Sequence, residues 1–195
     1  MSKLREGKKV AISKPIQTGN PKDTDFLQML TDSKIPILNT YSFSLPAAPS
    51  VAANHEDKTI QIERIVSDIK KLEDEFDCVI VEGIGGIAVP ITSNVIASSG
   101  LYPLCNDVYM VADLIKDLNY PVIVVACPSL GTINHSVLTI EFAKQKGLNV
   151  LGFVISGYDD STNDPVLKTA PDVISNITNI KCLMKLPYIV NQEKL

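Results

Sequence analysis

The stretch VIVEGIGGIAVPIT, residues 79–92, decides how the chain is read. An apolar β-type run ends in a carboxylate, Glu82, and three glycines follow within four residues, at 83, 85 and 86. A charge at the end of a strand that should be buried needs a metal or a cationic partner, because an unpaired buried charge is costly. Glycines beside it let a ligand approach the main chain and expose its N–H groups. The alternative is a tight strand-to-helix turn that needs glycine torsions, with the acid at solvent.

Working outward, strand-like runs recur as KKVAIS (8–13), FDCVIVEG (76–83), PVIVVACP (121–128), NVLGFVIS (149–156) and IKCLMKLP (180–187). The middle three are nearly continuous in apolar residues, which predicts strands covered on both faces of a parallel sheet. Helix-like stretches alternate with them. Residues 56–76 place Ile60, Ile62, Ile65, Val66, Ile69 and Leu72 along one side. Residues 132–147 begin at Thr132, a possible cap, and stop at Gly147; residues 164–178 carry Pro171 inside the pattern. Strand alternating with helix implies an α/β doubly wound, mostly parallel sheet with helices on both faces. Residues 33–54 read as an ordered crossing loop and 92–108 as a long polar loop.

The 195 residues suit one domain, with 45% apolar and 21% charged side chains. A net charge of −4 speaks against a nucleic-acid surface. No apolar run approaches the ~18 residues that span a bilayer, and MSKLREGKKV has no signal-peptide core, so a cytosolic protein is expected. The four cysteines, at 78, 105, 127 and 182, have no metal-type spacing and read as small buried thiols.

In such sheets ligands sit beyond the carboxyl ends of the strands. The segments there are SKPIQTG, EGIGG, CPSLGTINH, ISGY and LPYI, all small or polar. Lys14 suits an anionic ligand or developing negative charge. Asp23 and Asp25 either cap a helix or, with Glu82, hold magnesium, which takes one or two carboxylates plus phosphates and water. Gly131, Thr132 and Ile133 precede Asn134 at a helix start, where free N–H groups favour a carboxylate or phosphate. His135 is read as lying behind that site and His55 as a solvated loop residue; two histidines so placed build no serine-type triad.

Taken in order, these segments resemble dethiobiotin synthetase. KPIQTG resembles that family's K-P-V-x-S/T-G. FSLPAAPSVAANHE resembles its proline-rich crossing segment, and VIVEGIGGIAVPI its V-E-G-A-G-G-x-x-V-P. The stretch from LGTINHSVLT to GFVIS resembles L-G-x-I-N-H-x-L-L-T followed by G-x-V-x-N, and LPYI the closing I-P-W/Y. The resemblance covers residues 8 to about 189. It implies a magnesium- and ATP-dependent homodimer. Such an enzyme carboxylates diaminopelargonic acid with carbon dioxide or bicarbonate and closes the ureido ring.

By motif position, the resemblance makes Lys14 the residue that stabilises the carbamate and the transferring phosphoryl charge. It puts Thr18 and Gly86 against the diamine. Asp25, in preference to Asp23, and Glu82 become the magnesium carboxylates. Asn134 and the amides of Gly131, Thr132 and Ile133 would hold the substrate carboxylate across the dimer. Ser156, where the family has an adenine-reading asparagine, and Pro187 would border the nucleotide.

The departure is at the start. The family opens with a strand, a phosphate loop and a helix, and no G-x-x-x-x-G-K-S/T occurs here. That strand lies inside the family's sheet, so its loss is expected to leave two apolar interior edges unpaired. The expectation is a single synthetase-like domain over 1–195, incomplete at its N-terminus. The alternative is a catalytically impaired relative that binds substrate or a full-length partner. A related amidoligase or ParA-like ATPase would share the frame without KPIQTG and INH together.

Overall fold

The computed structural model describes residues 6–93 and 108–188. The chain divides into two compact units, the first running to Leu114 and the second from Ile115.

The first unit is built on β1 (Val10–Ser13), flanked in parallel by β3 (Ile37–Leu38) and β5 (Cys78–Val81). Val10 faces Cys78 and Ser13 faces Val81, while Ile12 faces Ile37. Every residue of β1 is buried, as its central place requires. Val10, Ile12 and Ile35 form a small core, against which Leu27, Ile37 and Cys78 pack. A second parallel pair joins β2 (Ile16–Thr18) to β4 (Tyr41–Phe43), and an antiparallel pair joins β6 (Pro90–Ser93) to β7 (Val108–Met110).

Three helices complete this unit: α1 (Asp23–Leu30), α2 (Pro49–His55) and α3 (Ile62–Glu75). In α3 the isoleucine spacing works as expected, with Ile65 and Ile69 fully buried. The predicted crossing loop at 33–54 contains β3, β4 and most of α2, whose Pro49 stands in the first turn, where a missing N–H costs nothing. His55 therefore ends a helix and does not lie in a loop, although it is exposed. The polar loop expected at 92–108 lies mostly outside the described residues. A further helix, α4 (Val111–Leu118), carries the boundary between the units.

The second unit is a parallel sheet ordered β10 (Cys182–Pro187), β9 (Val150–Tyr158), β8 (Val122–Ala126). Helices α5 (Thr132–Gln145) and α6 (Pro165–Thr178) cover one face. Val124 and Ala126 of β8 and Phe153 and Ile155 of β9 point there, into a core with Ile140 and Ile174. Asp164 caps α6, its Oδ1 accepting the Val166 N–H at 2.8 Å, and the helix passes through Pro171, whose ring is buried. Gly152 leaves room for the bulged start of β10, since a Cβ there would sit 2.3 Å from Leu183 Cγ.

The apolar runs predict cover on both faces, and here the structure differs. The alternate residues of β8, Ile123 and Val125, are 51% and 67% exposed. In register with them on the same face stand Val154, Met184 and Leu186. The reason is that α5 and α6 lie on one side only. Among the described residues β8 pairs with β9 alone and β5 with β1 alone, and Ile80 of β5 is half exposed. The cysteines differ too: Cys127 is exposed, and Cys78 and Cys182 are only partly buried. Cys105 lies outside the described residues.

Candidate functional site

In the first unit the chemistry gathers at the carboxyl ends of β1 and β5. Lys14 follows β1 directly and is 4% exposed. Its amide donates to Leu38 O at 2.8 Å and its carbonyl accepts from Asn39 Nδ2 at 2.7 Å, which fixes the backbone on both sides. Glu82 follows β5, its N–H donating to Ser13 O at 2.8 Å, so the ladder carries the two side chains to the same level. The Lys14 ammonium then lies 3.0 Å from Glu82 Oε1, 3.0 Å from the Gly83 carbonyl and 2.8 Å from Asp23 Oδ2. The ammonium thus donates hydrogen bonds to Glu82 and Gly83 and forms an ion pair with Asp23.

Both acids are about half exposed, Asp23 at 53% and Glu82 at 48% of the side chain, while the lysine between them is buried. Glu82 is thus not the buried charge that the sequence suggested, although it has a cationic partner in Lys14. The carboxylates converge on one nitrogen and face solvent from their other sides, so incoming charge can reach them. Among the described residues no group of three or more metal-ligating side chains occurs, so a metal here would rest on these two acids and on its own water or phosphate ligands.

The aspartate in contact with Lys14 is Asp23; Asp25, the motif's aspartate, is exposed in the same first turn of α1. Neither aspartate caps α1, whose N-cap is Lys22, without a side-chain bond. Sequence reading also missed Gln17, which is buried and whose Oε1 accepts the Thr24 N–H at 3.2 Å. Thr18 ends β2, half buried. Gly19 takes φ +77°, and a Cβ there would meet Pro46 Cβ at 2.8 Å, so the turn of KPIQTG requires glycine. Gly86 is exposed, with open space where a Cβ would stand.

In the second unit the corresponding ends carry little charge. Gly131, at φ +92°, is the N-cap of α5 and makes no side-chain cap bond. Thr132, expected as a possible cap, is instead the first helical residue; its buried Oγ1 has no partner among the described residues. The Thr132 amide is taken by Ser129 O, while Ile133 is partly buried and Asn134 exposed at the open first turn. The exposed His135 ring lies beside the turn, 3.5 Å from where a Gly131 Cβ would be. Ser156 is exposed in β9 and Pro187 closes β10.

A family model described as an AAA domain matches residues 1–193. Curated relatives include the ATP-dependent dethiobiotin synthetase BioD of Thermodesulfovibrio yellowstonii, 34% identical over 98% of this chain and 82% of its own length. That of Bacillus licheniformis is 36% identical over 92% of this chain and 73% of its own. Among solved structures, the MinC:MinD cell division complex of Aquifex aeolicus aligns with a TM-score of 0.54 at 11% identity, over 95% of this chain and 71% of that one. A ParA family ATPase from Chlorobium tepidum aligns at 0.50 and 14%, over 93% and 72%. These two show a shared α/β fold and nothing finer. With these relatives 34% and 36% identical over more than nine-tenths of its length, the chain belongs to the ATP-dependent dethiobiotin synthetases, ligases that form carbon–nitrogen bonds.

Proposed function

We propose that this chain acts on diaminopelargonic acid, carboxylated by carbon dioxide or bicarbonate, and promotes ATP-driven closure of the ureido ring. The observation that carries the reading is the buried Lys14 ammonium, held between Asp23 and Glu82 where two strands end. A carbamate and a transferring phosphoryl group are both anionic, and stabilising them needs positioned positive charge and no protein nucleophile. Lys14 supplies that charge from a fixed, desolvated position. Thr18 and Gly86 border the diamine, and the open space at Gly86 admits it without a side chain in the way.

The acids fit magnesium, which accepts two carboxylates and fills its remaining positions with water or phosphate oxygens. Such an ion, when bound, neutralises phosphate charge. Glu82 is one carboxylate; the other is Asp25 by motif and Asp23 by contact with Lys14. The amides at Gly131, Thr132 and Ile133, with Asn134, suit the substrate carboxylate, and Ser156 and Pro187 suit the nucleotide base. A homodimer working in the cytosol is part of the same reading; no helix among the described residues is long and apolar enough to cross a membrane.

A second reading has its own support. Strands β5 and β8 each present an edge without a partner among the described residues, where another chain could add a strand. On this reading the chain binds substrate or a full-length synthetase without turning over. Fixation of labelled bicarbonate dependent on ATP, magnesium and the diamine separates the two. Incorporation above a no-enzyme control is expected on the first. Diamine binding by calorimetry without incorporation establishes the second.

A further inference from the structure

We propose that Gln17 is a positioning residue of this site: its side-chain carbonyl caps α1 from a neighbouring strand and thereby holds Asp23 against Lys14. The inference rests on the proposed role of Lys14. Helix α1 has eight residues and none of them is buried. So short a helix has little stability of its own and is fixed by its tethers. Its N-cap position holds Lys22, extended at φ −79° and ψ 129°, the conformation of an ordinary cap but with no side chain able to accept from the first-turn amides. The Asp25 and Phe26 amides turn back to Lys22 O, and the Thr24 amide goes to Gln17 Oε1 at 3.2 Å.

Gln17 is well anchored for this. It is 2% exposed, and β2 pairs it with Ser42 of β4. Burying a primary amide is costly unless its groups are bonded. Here only the carbonyl is used; Nε2 is buried without a partner among the described residues. A leucine of similar size would avoid that cost, so the acceptor is what the position requires. The capped residue, Thr24, is next to Asp23, whose Oδ2 lies 2.8 Å from Lys14 Nζ. Four residues of KPIQTG thus include both the ammonium and the tether that sets one of its two carboxylates.

The test compares Gln17→Leu with the double variant Gln17→Leu/Lys22→Asn, which returns a cap from the local position. Hydrogen exchange over residues 23–30 should accelerate about five- to tenfold in the single variant, the size of a lost N-cap. It should return to within twofold of wild type in the double variant. In turnover the single variant should lower kcat about tenfold with the diamine KM changed less than twofold, and Lys22→Asn should restore kcat. Unchanged exchange in Gln17→Leu overturns the proposal, and so does a double variant that exchanges as fast as the single one. If Gln17→Leu does not fold, recovery of the fold by Lys22→Asn supports the proposal and no recovery overturns it. Exchange needs no turnover, so a wild-type chain that fixes no bicarbonate removes the functional reading and leaves the exchange result standing.

Discussion

The two units present opposite chemistry where their strands end. In the first, the ammonium of a lysine 4% exposed is surrounded by two carboxylates and a carbonyl. In the second, a helix opens with Gly131, a threonine hydroxyl without a partner among the described residues, and Asn134, and its polarity comes largely from backbone amides. Seven buried residues from β8, β9, α5 and α6 pack beneath the second unit's sheet, and in the first Val10, Ile12 and Ile35 pack beside β1 while Ile65 and Ile69 of α3 are fully buried. The comparison teaches that side-chain charge is positioned by strand ladders and ion pairs in one unit, and that backbone polarity is positioned by packing in the other.

The strongest attempt to break this contrast removes a charge from the first unit. Glu82→Gln keeps the shape and leaves Lys14 with one carboxylate. Turnover should fall about a thousandfold, which is about 4 kcal/mol, with the thermal midpoint unchanged within about 2 °C because the acid is half exposed. Retained activity would show that the acid only balances the lysine. Asp23→Asn beside Asp25→Asn then asks which aspartate matters; the larger loss in kcat identifies the second metal carboxylate.

A smaller effect is expected from the second unit. Asn134→Ala should weaken diamine binding about tenfold in calorimetry, about 1.4 kcal/mol, and leave nucleotide binding within twofold. Equal loss of both would erase the division of labour between the units.

The smallest effect concerns charge in the first unit away from the site. Lys58 and the Ser44 hydroxyl and amide hold the Glu56 carboxylate, in that order of importance, and lower its pKa from 4.5 to about 2. A lowered carboxylate contributes stability that is present above about pH 4.5 and lost as the pH falls through about 2. The Ser44 amide resonance should therefore titrate with a midpoint near 2; a midpoint near 4.5 would show that the clamp is open in solution.

Much of this was legible in the sequence. The five main strands lie where the apolar runs put them, and α3 follows its isoleucine spacing. Lys14 and Glu82 were readable because each directly follows a strand, and parallel register does the rest. What escaped was set by contacts distant in sequence or by helix geometry. Asp23 and Asp25 are two residues apart, about 200° around a helix, and the motif gave no view of which one faces Lys14. Gln17 was passed over within SKPIQTG because its partner, the Thr24 amide, leaves no trace in composition. Thr132 resembled a cap, but Gly131 takes the left-handed conformation one position earlier. The exposed side of β8 was hidden because a continuous apolar run does not record which face its helices choose.

That side of the second unit's sheet has a practical consequence. Ile123, Val125, Met184 and Leu186 form a greasy plane on the folded molecule. Solvatochromic dyes that brighten on apolar surfaces will bind it before any heating begins. A dye-based melt of this protein should start bright and rise little, which leaves a poorly defined transition. Circular dichroism at 222 nm follows the backbone and is blind to that plane, so it is the method by which the variants above should be ranked.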